Sequence, residues 1–439
     1  MKSELNGRKD TDIGTIPAEW DVVPLRAVTQ KTYQRDPRKK PEEKFRYIDV
    51  SSVSNDRFVI QGWNDVVGQD APSRARKAVK AGDTIFATVR PYLRNIAQVP
   101  IHLDDAICST GFCVIRANPK KADPDFLYFA SLTEVFIERI VAKQRGSSYP
   151  AVSDKVVLGE RIPLPPLDEQ RRIAAVLTTI QQTIAAQEQV IQAAREVKRS
   201  LMYRLFTYGP YPELYLTKET NFGNVPENWA IQPLKNCAYV QTGAAKGRKF
   251  GNNPTMEVPY LRVANVQDGY LDLQEIKKIR IKESELDRYR LQDGDVVLTE
   301  GGDFDKLGRG FIWRGQIKPC IHQNHVFAVR TDREKLSPEF LAYLAQSDYG
   351  KRYFLKVAHR TTNLASINST KLKAMPVLLP LPDEQGEITT KLKQIDKKIG
   401  IEESRKNALE ALFKSTLHQL MTGQIRVPEL RGKIGNSGK

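Results

Sequence analysis

Apolar residues recur in alternating steps of three and four along a stretch from Leu167 to Tyr208 that contains neither glycine nor proline. They are Ile173, Leu177, Ile180, Ile184, Ile191, Ala194, Leu201 and Leu205, with Gln187 and Lys198 as polar interruptions. Such a heptad stripe predicts one long amphipathic helix. A second stripe, Ile388, Leu392, Ile395, Ile399, Leu409, Phe413 and Leu420, predicts another over 381–423, interrupted by Glu402, Lys406 and Thr416. Asp168 and Asp383 follow proline-rich stops, as N-caps or first-turn acids do, and Gly209 and Gly423 end the helices. Gly400, inside the second, costs about 1 kcal/mol relative to alanine. At 1.5 Å per residue each helix is about 60 Å long, and neither can bury its stripe alone. Pairing with each other satisfies both, antiparallel because a whole domain lies between them. Packing of each helix on its own domain, or on another chain, stays open as the alternative.

The remaining sequence reads as mixed α/β. Strand-like runs occur at Thr84–Val89, Phe112–Ile115, Asp295–Thr299 and Val326–Val329, two of them launched from Ala81-Gly-Asp and Asp293-Gly-Asp turns. Helical patterns cover Pro124–Ala142 and Pro338–Val357. These segments are two copies of one unit. Gly14-Thr-Ile-Pro-Ala-Glu-Trp20 returns as Gly223-Asn-Val-Pro-Glu-Asn-Trp229, and Ile162-Pro-Leu-Pro-Pro-Leu-Asp-Glu-Gln170 as Val377-Leu-Leu-Pro-Leu-Pro-Asp-Glu-Gln385. The period, near 210 residues, is far too long for a solenoid and marks a duplicated domain plus helix. The boundaries are 1–166 for the first domain, 167–208 for its helix, 209–380 for the second domain, 381–423 for its helix, and a polar tail over 424–439 expected to be disordered. Two such units imply a pseudo-twofold relation.

Composition adds a partner class. Lys and Arg total 68 against 52 acids, a formal charge of +16, which points to a polyanion and to nucleic acid first. The four cysteines, Cys108, Cys113, Cys237 and Cys320, form no CxxC pair, which suits a reducing cytoplasm. The N-terminus has no apolar leader, and no run approaches the roughly 20 apolar residues of a membrane span. No Walker A loop, nucleophile elbow or H-E-x-x-H is present, and Asn253-Pro254 is followed by Thr-Met, not by the Pro-aromatic pair of adenine methyltransferases. Cys320, His322 and His325 form a loose string without a fourth ligand, so they read as structural residues, and no metal site is expected. Trp20 and Trp229 read as core aromatics, and Glu169-Gln170 and Glu384-Gln385 as first-turn partners of the helix dipole.

The two Ile/Val-Pro-x-x-Trp starts, the two Gly-Asp turns, the two proline-rich boundaries running into Asp-Glu-Gln, the two heptad helices and Leu420-Met-Thr-Gly423 together resemble the specificity subunits of type I restriction-modification systems. The resemblance covers nearly the whole chain. It implies two target-recognition domains separated by two long antiparallel helices forming a coiled coil. Each domain then reads one half of a split, asymmetric sequence in double-stranded DNA, and the helix pair sets the gap. It also implies docking of two methyltransferase subunits that methylate adenine, with motor-nuclease subunits joining for restriction, whether separate or fused. S-adenosylmethionine, ATP and Mg2+ belong to those partners, and this chain carries no cofactor and no catalytic residue. A stand-alone sequence-specific endonuclease and a non-catalytic coiled-coil adaptor stay open beside it.

Candidate DNA contacts are loops rich in Arg, Lys and small polar residues, since Arg suits guanine edges, Asn and Gln suit adenine, and Lys, Ser and Thr suit phosphates. In the first domain they are Arg74, Arg76 and Lys77; Arg90 and Arg94; and Lys143, Gln144, Arg145, Ser147, Ser148 and Tyr149. In the second they are Lys246, Arg248 and Lys249; Arg309; and His359, Arg360, Thr361, Thr362 and Asn363. The loops at 144–149 and 359–363 occupy equivalent places in the repeat, just before the return to each helix, and rank above the others.

Overall fold

The protein is described here from a computed structural model, which covers residues 7–360 and 365–427. The chain forms two compact units, Met1–Glu188 with Ser404–Lys439, and Gln189–Glu403. Both boundaries fall inside long helices, α1 (Leu167–Tyr208) and α2 (Pro382–Met421). Every seam position read from the heptad stripe, the polar interruptions included, is buried or half-buried.

Within unit 1, Ile173, Ala174 and Leu177 near the start of α1 share a core with Leu417, Leu420 and Met421 at the end of α2. Within unit 2, Met202, Leu205 and Phe206 at the end of α1 share a core with Ile388 and Leu392 at the start of α2. In unit 2 the cross-helix pairs Arg195–Glu403 at 2.6 Å and Lys198–Asp396 at 2.7 Å give the two helical segments an antiparallel direction. Full burial of one such leucine stabilises by about 1.5–3 kcal/mol. Lys198 is tolerated in the seam because its ammonium pairs with Asp396 at 2.7 Å and stands 5.5 Å from the centre of the Tyr343 ring. The Tyr343 hydroxyl donates to the same carboxylate at 2.7 Å. In unit 1 the position matching Tyr343 is Phe129, and the neighbouring Tyr128 accepts from the Gln181 amide at 2.8 Å.

Each globular body is closed by a two-stranded antiparallel ladder between its incoming and outgoing segments: Asp21–Pro24 pairs with Arg161–Leu164, and Ala230–Pro233 with Pro376–Leu379. Unit 1 holds a three-stranded antiparallel sheet of β1 (Thr84–Ala87), β2 (Ile96–Gln98) and β3 (Phe112–Ile115), with β1 in the middle. Unit 2 holds four strands, β4 (Ala238–Thr242), β5 (Val296–Thr299), β6 (Gly310–Ile312) and β7 (Val326–Thr331), with β5 between β7 and β6. The Gly-Asp turns start β1 and β5. Gly82 and Gly294 adopt left-handed backbone (φ +84° and +91°), which a side chain would strain. The buried Asp83 and Asp295 accept from the backbone N–H of Lys80 and Gln292, both at 2.8 Å. Each is also gripped by an arginine, Arg116 at 2.6 Å and Arg330 at 2.9 Å.

The helices expected over Pro124–Ala142 and Pro338–Val357 are each broken in two. The pieces are Pro124–Leu132 and Glu134–Val141, and Pro338–Gln346 and Asp348–Val357. Thr133 and Ser347 take extended backbone at the breaks, and the Ser347 hydroxyl caps the next turn by accepting from Gly350 N–H.

The first-turn Glu-Gln pairs hold each long helix to its body, a role beyond the dipole. Trp20 donates its indole N–H to Glu169 at 3.0 Å, and Trp229 donates to Glu384 at 3.3 Å. Gln170 donates to Pro165 O at 2.8 Å and accepts from Asp123 N–H at 3.0 Å; Gln385 donates to Pro380 O and Lys335 O and accepts from Ser337 N–H at 2.8 Å. Asp123 and Ser337 cap the helices at 124–132 and 338–346, so one amide fixes two elements in each unit. The start of the tail is ordered as well. Arg426 forks onto Glu169 at 2.5 and 2.8 Å and pairs with Glu19, while Arg8 donates to Gly423 O at 2.7 Å and Thr422 O at 3.0 Å. The rest of the expected disordered tail, 428–439, lies outside the described residues.

Two stability predictions arise. A Cβ added at the exposed Gly400 meets nothing within 4 Å. Gly400→Ala should therefore raise unfolding free energy by about 0.5–1 kcal/mol in denaturant melts. His322 is buried with Nδ1–H donated to Val326 O at 2.6 Å, and burial pushes its pKa down from 6.5 to about 4. Between those values the unfolded chain takes up a proton that the folded chain refuses, so stability falls as pH drops through that window. Melts from pH 7 to pH 4 should show a shallower loss for His322→Leu than for the unaltered protein.

Candidate nucleic-acid interface

The end of β1 opposite its Gly-Asp turn carries a ladder that gathers the three basic segments of unit 1. Thr88 donates both its N–H (2.8 Å) and its hydroxyl (2.9 Å) to Gly111 O. Thr110 N–H is held by Arg74 O at 2.8 Å, which brings in the first segment. Val89 bridges Ala151, and Ala151 exchanges two 2.9 Å bonds with Arg145, which brings in the third. Arg90 adopts left-handed backbone (φ +49°), donates its N–H to Pro150 O at 2.7 Å, and lays its guanidinium 5.0 Å from the centre of the Tyr149 ring. Tyr149 is 72% exposed, so the stacked pair stands at the rim.

The residues on this rim divide by their partners. Arg94 is forked onto Glu134 at 2.7 and 2.5 Å. Lys143 pairs with the buried Glu160, which Arg139 also holds at 2.7 Å. Lys77 pairs with Asp154 at 2.5 Å and donates to Phe112 O. Arg76 leans on Asp36 at 3.4 Å. These four anchor the loops. Gln144 is half-buried, while Arg74, Arg145, Ser147 and Ser148 are exposed.

Unit 2 repeats the ladder with other side chains. Glu300 N–H donates to His325 O at 2.9 Å, as Thr88 does to Gly111. Gly301 and Gly302 pair with Ser366 and Ala365, which pair in turn with His359 and Arg360. A Cβ at Gly301 would meet Ala365 O at 2.6 Å, so glycine permits the approach. Arg360 is exposed, donates to Leu355 O at 3.0 Å and lies 5.5 Å from the Phe304 ring centre. Thr361, Thr362 and Asn363 lie outside the described residues. The segment at 246–249 joins through Ala244, which bonds Asn324 N–H at 3.0 Å. Lys246 and Lys249 are exposed, with Lys246 5.6 Å from the Tyr260 ring centre, whereas Arg248 is paired with Glu285 at 2.5 Å. Arg309 donates to Gln267 at 3.1 Å, and its carbonyl accepts from Thr299 N–H.

The sequence reading missed the ladder rung itself, Thr88 with Gly111 and Glu300 with His325. The signal was available, because Thr88 and Glu300 directly follow, and Gly111 and His325 directly precede, the duplicated strands. Of the Cys320, His322 and His325 string, the first two are buried and His325 stands outside beside Glu300 at 2.5 Å. No helix among the described residues is long and apolar enough to cross a membrane.

One scaffold used twice, with a different basic rim on each copy, is an arrangement that suits a DNA-binding protein. The model of the type I restriction modification DNA specificity domain matches twice, at residues 17–196 and 226–411, with the spacing of the duplicated motifs. The chain belongs to this family and is a non-catalytic specificity subunit. It is 29% identical over 343 residues to the MjaVIII specificity subunit of Methanocaldococcus jannaschii, covering 76% of this chain and 78% of that one. To the EcoKI specificity subunit of Escherichia coli K12 it is 26% identical over 406 residues, covering 87% and 83%. A chain solved in work on complex assembly and conformational transition of the type I R-M system superposes with a TM-score of 0.60 at 29% identity, covering 93% of this chain and 99% of that one.

Proposed function

We propose that the chain chooses the DNA target of a type I restriction-modification enzyme, each of its domains, 1–166 and 209–380, reading one half of a split, asymmetric sequence. The duplicated ladder carries the reading: identical backbone bonds at the end of β1 and β5 present different side chains, so one geometry meets two different half-sites. Arg74, Arg90, Arg145, Ser147, Ser148 and Tyr149 serve the first half-site; Lys246, Lys249, Arg309 and His359 to Asn363 serve the second. Arg76, Lys77, Arg94, Lys143 and Arg248 hold the loops that present them. The helices at 167–208 and 381–423 form a coiled coil that fixes the gap between half-sites and docks two methyltransferase subunits. Those partners supply S-adenosylmethionine and methylate adenine; motor-nuclease subunits supply the ATP- and Mg2+-dependent cleavage.

The test is single-molecule methylome sequencing of a host lacking other methyltransferases, with this chain expressed beside its methyltransferase partner. Methyladenine at a split motif that vanishes when this chain is omitted is the expected result. A motif that persists without it overturns the proposal. Arg360→Ala should weaken binding of the assembled complex about 3- to 10-fold and lower the slope of log affinity against log salt by about one. Unchanged affinity across a salt series would remove this loop from the interface.

A further inference from the structure

The two copies differ most sharply at one rung. In unit 1 the Thr88 hydroxyl turns inward onto Gly111 O and the residue is buried. In unit 2 the same backbone bond carries Glu300 and His325, whose side chains are 27% and 54% exposed. They are joined in a relay. Asn324 Nδ2 lies 3.3 Å from His325 Nε2, and His325 Nδ1 lies 2.5 Å from Glu300 Oε2. With the amide donating to Nε2, the proton resides on Nδ1 and is donated to the carboxylate. Glu300 is thereby held as an oriented acceptor, and no described residue donates to its Oε1. The next two residues, Gly301 and Gly302, bring no side chain over it, and the strand they pair with, Ala365–Ser366, pairs in turn with His359–Arg360.

A carboxylate on a DNA-facing rim is repelled by phosphate, so it does not serve as a backbone contact. The donor it suits is a base amino group in the major groove, and a carboxylate pairs there with cytosine N4. Resting on the reading of this rim as the DNA interface, we infer that Glu300 reads a cytosine in the half-site of unit 2. Asn324 and His325 are the positioning residues that aim it.

The experiment is methylome sequencing of cells expressing the full chain with its methyltransferase, unaltered or as Glu300→Ala, Glu300→Gln or His325→Ala. The unaltered chain should specify a cytosine in one half-site. Glu300→Ala should relax that single position, methylating sites with other bases there about 10-fold more often, while the other half-site stays fixed. Glu300→Gln keeps the shape, so it reports even if the alanine variant fails to fold. Because a glutamine amide suits adenine, it should admit adenine at that position. His325→Ala should relax the same position and no other. An unchanged motif in Glu300→Gln, or relaxation spread over both half-sites, would overturn the inference and leave the specificity role standing. Absence of any split motif with the unaltered chain would overturn both.

Discussion

Each long helix is joined to its globular body by two neighbouring side chains in its first turn. A buried glutamate takes a tryptophan indole N–H, and the adjacent glutamine ties the cap of a second helix. Both groups are nearly water-free, so removing one partner leaves an uncompensated polar atom at a cost of about 1–3 kcal/mol. Body and helix consequently share one core, Trp20 and Ile173 belonging to that of unit 1 and Trp229 and Ile388 to that of unit 2. The rims at the ends of β1 and β5 inherit their placement from this joint and from the Asp83–Arg116 and Asp295–Arg330 grips at the opposite strand ends.

The division of labour within each unit is chemical. Framework polar groups are paired inward: Asp83, Asp295, Glu160, Glu169 and Glu384 are all buried and bonded. Rim groups are held by backbone instead, through Arg90 N–H on Pro150 O, or Arg145 and Arg360 on their facing strands. A backbone tether is indifferent to the side chain that it presents. The rim can therefore change residue types without disturbing the framework, and Thr88 set against Glu300 is such a change.

The helices were readable in the sequence because a heptad stripe is a local, periodic signal, and even its polar interruptions fell on the covered face. The Gly-Asp turns were readable because left-handed backbone favours glycine. The breaks at Thr133 and Ser347 were not, since hydroxyl caps compete with the helix only locally while the apolar pattern runs on through them. Among the basic residues the sequence shows charge and not its partner. Arg94 and Glu134 are 40 residues apart, and Lys77 and Asp154 are 77 apart. Loops that looked alike in composition therefore separate in the structure into anchored residues and exposed ones. Arg426 was hidden for the same reason, its glutamate partner lying 257 residues earlier.

Unit 1 is assembled from both ends of the sequence, whereas unit 2 is one uninterrupted stretch. A ribosome delivers the end of α2 and Arg426 long after Trp20, Ile173 and Leu177 have emerged. The body that is synthesised first must wait with part of its core uncovered, while the body that is synthesised second already has all its pieces. Completion on the ribosome thus runs opposite to translation. The nascent first body is the stage at which a chaperone has most apolar surface to shield.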